Sequence, residues 1–498
     1  MVIQAPTRQP TTPQALEQPQ YEITEADKKR QQRIAAAWKA YDGDMEKPLD
    51  KMPGEADDNV IYNGIAPVVH TIDDFLFGKE LEIGVENNAP DEVQTFLDLI
   101  WGRKEKRLPL LQDLGMNGSV TGRGFLRIVP SREVPGKPKK YRLIVPDPST
   151  IFVKTAPQDC ETVLLYCTEY AEDEKVNGRP QRVYYREEIQ RIDPDGNASR
   201  WMPDDDDTWQ IQHWTQVTAG NMAPRQGYWT PAGPPIPWPY PFAPLFSCKN
   251  LPRPNEFWAT PDVTTDLIGL NAALNLVLSC INRNGKLFGH PLLYGTAAIE
   301  SIIDRAPGKI TWLAPDGKIV AVPFPTDLAN MLKFAQDLRS SMDERSSVPG
   351  VATGRIATMP RGNLSGIAIE LLFMSLLKVI DKKRCLYGGL IIDVSLALLV
   401  LNNMAPDIDI TLAWQNPLPH DDLPDAQKAV VLKGIGISDT TLQREMGYDP
   451  EEELKLSQTE NAQKAADFAA QQLPVASPPG QAQPGQQPQA SPFIGRQQ

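Results

Sequence analysis

The residues that could do chemistry are few and scattered. The four histidines are His70, His213, His290 and His420. None has a second metal-ligating residue at zinc spacing, and no HExxH stretch occurs, so no metal site is expected. None has the local context of a nucleophile triad. The five cysteines (Cys160, Cys167, Cys248, Cys280 and Cys385) form no CxxC pair. An odd, dispersed set reads as reduced thiols of a cytosolic compartment, mostly packed as small apolar side chains. No GxxxxGK[ST] loop is present to cradle a triphosphate. Residues 118–122 read GSVTG, which is not the GxSxG of a hydrolase elbow. RGFLRI matches half of an RNA-recognition strand, and the other half is absent. Asp193-Pro-Asp-Gly-Asn197 has its glycine misplaced for a calcium loop and reads as a hairpin turn. The expectation is a structural part that is not an enzyme and has no cofactor.

The charged residues that stand out are Arg355 and Arg361. They lie in a Gly, Pro, Ser and Thr loop, residues 346–364, that contains no acid. Thr353, Thr358 and Asn363 accompany them. Two readings stay open: contact with the phosphates of a polyanion, or pairing with acids of adjacent subunits. The chain as a whole has 50 Lys+Arg against 63 Asp+Glu, a net charge of -13. That balance argues against a broad nucleic-acid-gripping surface. It fits a channel wall that a polyanion slides past, touching a few local cations.

The elements that would position this loop can be read from periodicity. After it, Ser365–Asn403 has no proline and is dense in Leu, Ile, Val and Ala. It is expected to be a helix about 55 Å long with Ser365 as its N-cap. Its most apolar run, Leu386–Leu401, is shorter than the ~20 residues that span a bilayer. It also carries Gly388, Gly389 and Asp393, so burial in an assembly is expected, with no membrane. The N-terminus is polar and proline-rich, unlike a signal peptide.

Two amphipathic helices precede the loop. Val263, Leu267, Leu270 and Leu274 form the seam of one, from about Pro261 to Asn284. Leu328, Leu332, Ala335 and Leu338 form the seam of the other, to about Arg345. Between them PLLYG, KITWL and KIVAVPF are candidate strands, with an Asp316-Gly317 turn. Upstream, helices are expected at 25–41, within 59–78, at 91–103 and at 108–116, with a change to strand after Met116. Strands follow at 141–145, 151–153, 163–170, 181–185, 189–192 and 209–215. Residues 1–24 and 473–498 have low complexity and are expected to be disordered. The fold class is α+β.

The order of parts resembles the portal proteins of tailed double-stranded DNA bacteriophages, of the SPP1 type. The resemblance spans about residues 25 to 460. It rests on NVIYNGIAPVVHTIDDFLFGKELEI, PFAPLFSCKNLPRPNEFWATPDVTTDLIGLNAALN, SGIAIELLFMSLLKVIDKKR, and ITLAWQNPLPHDDL with GISDTTLQREMGYDPEEEL. It implies a portal fold assembled as a ring, a dodecamer, with a central channel at a capsid vertex of the virion, put together in the host cytoplasm. The implied layout is a wing at 25–257, stem helices at 258–287 and 326–345, and a β-rich clip at 288–325 between them. A tunnel loop at 346–364, a long wing-to-crown helix at 365–403 and a crown at 404–472 complete it. The implied partners are copies of the chain, the terminase large subunit, a head–tail adaptor, the major capsid and scaffold proteins, and double-stranded DNA in the channel during packaging and ejection. The competing expectation is a tail or baseplate ring protein without a packaging role. Both low-complexity arms lie outside the resemblance.

Overall fold

The computed structural model describes residues 17–51, 57–85, 90–102, 104–130, 141–176, 179–199, 201, 203–204, 206–218, 228–289, 293–295, 319–321, 328–355, 366–404 and 408–418. All belong to one compact unit, Met1–Pro419. The KITWL strand, the Asp316-Gly317 turn and the crown helices beyond residue 419 lie outside these residues.

The chain opens with α1 (Glu25–Asp42), started by a capping box. The Asp27 N–H donates to Thr24 Oγ1 at 3.2 Å, and the Thr24 N–H donates to Asp27 Oδ2 at 3.0 Å. Next come α2 (Ile65–Phe77), β1 (Leu81–Val85), α3 (Asp91–Trp101) and α4 (Lys104–Thr121). The strands that follow are β2 (Arg123–Pro130), β3 (Tyr141–Ile144), β4 (Ile151–Thr155), β5 (Val163–Val176), β6 (Arg179–Ile192), β7 (Thr208–Thr218), β8 (Thr230–Pro231), β9 (Ile236–Trp238) and β10 (Leu245–Lys249). A long helix α5 (Thr265–Gly289), the short strands β11 (Leu293–Gly295) and β12 (Ile319–Ala321), and α6 (Leu328–Ser346) follow. The described chain ends with α7 (Gly366–Leu401) and β13 (Ile410–Trp414). The architecture is mixed helix and sheet.

These strands form two sheets. The larger runs β4-β5-β6-β7-β8, with β9 also on β7; the smaller runs β10-β2-β3. β1 pairs antiparallel with β13, so the segment after α7 returns to the N-terminal helices. The main core gathers α2, α3, α4, the small sheet and α7. Tyr387, Ile391, Val394, Ala397, Leu398 and Leu399 of α7 all sit at its centre with no exposure. Burying each such Leu or Ile is worth ~1.5–3 kcal/mol, which fixes the second half of α7 in the body. At 36 residues α7 is about 54 Å long. By length and composition alone α5 and α7 could each cross a membrane, but the greater part of α7's apolar stretch is covered by this fold.

Four sequence expectations change. First, α4 runs on to Thr121, where a strand was expected after Met116. Gly115 and Gly118 are helical because they face Phe77 and the Tyr387 hydroxyl, leaving no room for a side chain. Second, residues 181–192 are one strand, not two. The polar stretch in its middle stays in the sheet because each charge is met. Arg186 bonds Glu169, Glu187 bonds Arg127 and His213, and Glu188 accepts the N–H groups of Gln20 and Tyr21. Third, those last contacts hold residues 20–21 on the large sheet, so residues 17–24, the end of the arm expected to be disordered, are ordered before α1, while residues 1–16 lie outside the described residues. Fourth, α5 begins at Thr265, since the Asp262 and Val263 N–H groups both donate to the Ser119 carbonyl. Asp193 does head a turn, its side chain accepting from the N–H groups of Asp195 and Asn197.

A methyl group at Gly118 would fall on the Tyr387 hydroxyl. Gly118→Ala is expected to destabilise the protein by roughly 1–3 kcal/mol, read as a lower urea midpoint in chemical unfolding.

Candidate functional site

The loop is built on α5 and α6, and side-chain contacts set their directions. Arg345, at the end of α6, bonds Asp266 at the start of α5. Asn284, near the end of α5, lies 3.6 Å from the sulfur of Met331, near the start of α6. The two helices are therefore antiparallel. Val263, Leu267, Leu274 and Ala335 are buried together with Ile65, Val69 and Val120, and the half-buried Leu270 and Leu338 pack on the same cluster. Leu328 is half-buried. Leu332 departs from the expected seam: it is 50% exposed, as are Phe334 (53%) and Leu276 (43%). Ala335, Leu338 and Met342 occupy the inner stripe at three- and four-residue spacing, so Leu332 is turned toward solvent.

A second face of α5 carries a ladder the sequence reading missed. Asn271, Asn275, Ser279 and Asn282 recur every three or four residues and grip an extended segment, residues 58–64. Asn271 accepts from the Gly64 N–H at 3.0 Å and Asn275 from the Tyr62 N–H at 2.9 Å. Ser279 accepts from the Val60 N–H at 2.9 Å, and Asn282 donates to the Asp58 carbonyl at 2.7 Å. Arg283 closes the ladder on the Asp58 carboxylate at 2.8 Å. Polar residues at helical spacing between apolar ones were the available signal.

The root of the loop folds back on α6. Thr353 donates its hydroxyl to the Gly350 carbonyl at 3.0 Å, and the Arg355 N–H donates to the same oxygen at 2.9 Å. The Arg355 guanidinium packs against the Gly350 Cα and bonds the Asp343 carboxylate. Arg355 thus has an acid of its own chain as a partner, a pairing the sequence reading did not consider. Thr358, Arg361, Asn363 and Ser365 lie outside the described residues.

Beside the start of α5, α7 is pinned by a buried polar cluster. Lys383, with no exposure, donates to Ser119 Oγ at 3.2 Å, to Asn250 Oδ1 at 2.7 Å and to the Asp262 carboxylate. The Tyr387 hydroxyl donates to the same Asn250 oxygen at 3.1 Å. A Ser–Lys pair can serve as a nucleophile and base. Here Ser119 is 1% exposed inside packed helices, so no substrate carbonyl can approach it. Nearby Asp73 is 4% exposed, and its Oδ1 has no hydrogen-bond partner among the described residues. Burial, with Asp74 adding repulsion, pushes its carboxyl up to about 8.

The other candidate groups stay apart. His70 is exposed, with its Nε2 3.3 Å from the Tyr41 hydroxyl, and His213 pairs with Glu187 at 2.9 Å. Among the described residues no three metal-ligating side chains cluster. The cysteines are free thiols. Cys167 and Cys248 are buried, which raises both thiols far above the usual range, while Cys385 is exposed.

No protein-family model and no curated protein matches the chain. Solved structures do. A chain from the neck of the native GTA particle, computed with C12 symmetry, has 12% identity and a TM-score of 0.39, over 77% of this chain and 90% of that one. A chain from the virion of the native gene transfer agent has 13% identity and a TM-score of 0.40, again over 77% and 90%. A chain from the neck of the empty GTA particle, computed with C6 symmetry, has 12% identity and a TM-score of 0.40, over 78% and 90%.

Lys383→Met leaves Asp262 buried without its cation and is expected to cost roughly 3–5 kcal/mol in urea unfolding, part of it recovered by adding Asp262→Asn. Asp73 gives a pH signature. Its folded value of about 8 lies above its ordinary 3.8, so its contribution to stability is full below about 4 and falls as pH rises toward 8. Asp73→Asn should therefore raise stability more at pH 7.5 than at pH 5, measured by the same unfolding assay.

Proposed function

We propose that this chain is the subunit of a portal ring through which double-stranded DNA enters and leaves a capsid. The observation that carries the reading is the antiparallel α5–α6 pair. It brackets the β11–β12 hairpin and hands the chain to a loop rooted at the pair's own base, which then continues into the 36-residue α7. In this reading α5 and α6 are the stem, β11 and β12 part of the clip, residues 346–364 the channel-lining loop, and the two wing sheets the outer body. Thr353, Arg355, Thr358, Arg361 and Asn363 then come near the DNA. The outward Leu276, Leu332 and Phe334 supply apolar surface for neighbouring copies in a dodecamer. The net charge of -13 suits a conduit that must not hold its polyanion. The terminase large subunit, a head–tail adaptor, and the capsid and scaffold proteins are the partners this role requires, and the chain does no catalysis itself.

Electron microscopy of the purified chain is expected to show rings with an axial channel that admits duplex DNA; rings too narrow for it would reject the reading. Particles produced without the chain separate it from a tail or baseplate ring protein. Loss of a portal leaves heads without DNA, whereas loss of a tail ring leaves filled heads that lack tails.

A further inference from the structure

The two arginines described at the loop root are both neutralised by carboxylates of the stem pair. Arg345 bonds Asp266 of α5, and Arg355 bonds Asp343 of α6. In the second pair the Arg355 side chain is 28% exposed and that of Asp343 is 23% exposed. A partly exposed pair of this kind is worth little in water, because solvent and salt screen it. Its geometry is nonetheless set. The Arg355 N–H closes on the Gly350 carbonyl at 2.9 Å, and a Cβ at Gly350 would lie 2.8–3.0 Å from the guanidinium atoms. The turn thus lays this guanidinium on its own helix, where the screened bond to Asp343 is one of its contacts.

We propose that Asp343 is an internal competitor that masks Arg355, and that the phosphates of duplex DNA displace it. Asp343 occupies the guanidinium when no phosphate is near. A passing phosphate takes its place, releasing counterions from the DNA, and the carboxylate recaptures the arginine once the phosphate has moved on. Such a contact is transient by construction. A permanently bare arginine would hold the backbone, and an arginine buried in its pair would never meet it. The identity of the polyanion rests on the portal reading; the competition itself rests on the Arg355–Asp343 geometry.

The test uses the full-length chain and a short fluorescent DNA duplex, titrated at several salt concentrations. Asp343→Asn is expected to raise affinity about three- to five-fold at low salt, the scale of an exposed pair. Adding Arg355→Gln must abolish that gain. Glu344→Gln, which removes a neighbouring exposed acid, should leave affinity unchanged. The proposal is overturned if Asp343→Asn gives no gain, if the gain survives Arg355→Gln, or if Glu344→Gln matches it, since each would reduce Asp343 to general negative charge. Thermal melts of each variant check that it folds. Imaging the same samples separates the two ideas. Channelled rings without the gain sink the masking alone; an Arg355-dependent gain without rings sinks the portal reading alone.

Discussion

The buried contact between Lys383 and Asp262 is the constraint on which the other parts depend. Lys383 belongs to the long helix α7, and Asp262 stands three residues before α5 begins. Between them lie β11, β12, α6 and the loop, more than a hundred residues of chain. Two charges removed from water attract each other strongly only when their remaining hydrogen-bonding capacity is met. Ser119 and Asn250 meet that of the ammonium, and Asn250 also donates to Asp262 at 3.1 Å. The start of α5 and the helix that leaves the loop are thereby fixed in one frame, with α4 and the end of β10 as the other walls.

From that frame the geometry of α5 and α6 follows. α5 cannot pivot, because one face is bonded to residues 58–64 and another is packed on α1, α2 and α4. α6 returns along the remaining side, and Arg345 ties its end to the start of α5. At the root of the loop Arg355 bonds Asp343 of α6, and Ser375 of α7 donates its hydroxyl to the Ser347 carbonyl at 3.2 Å.

The polar residues are distributed according to how much water they meet. Those at the centre are fully networked, as with Lys383, or hold an oxygen with no hydrogen-bond partner among the described residues and are biased toward the neutral form, as with Asp73. Those at the loop root are exposed and weakly bonded. The large sheet shows the same rule, since the consecutive charged residues of β6 are tolerated in mid-sheet only because Glu169, Arg127 and the backbone of residues 20–21 answer them.

Much of this was legible in the sequence. The α5 seam at Val263, Leu267, Leu270 and Leu274, the length of α7, the limits of α1 and the mixed class all follow from periodicity and composition, because local backbone preference and tertiary packing agree there. Where they disagree, the sequence was misleading or silent. Gly118 looked like part of a break, and only the Tyr387 hydroxyl that it faces shows why a helix needs a glycine there. Leu332 looked like core, because a leucine at roughly the right spacing carries no mark of which way the helix is turned. Lys383, Asp262, Asn250 and Asp73 lie far apart in the chain as ordinary polar residues, and a buried charge is visible only once its partners are in place. The sequence by itself determined which segments are helices with an apolar side and where a basic, acid-free loop lies between two of them. The tertiary structure decided which charges are buried, which are paired, and that Arg355 faces an acid of its own chain, since burial and pairing depend on contacts that distant residues make only after folding.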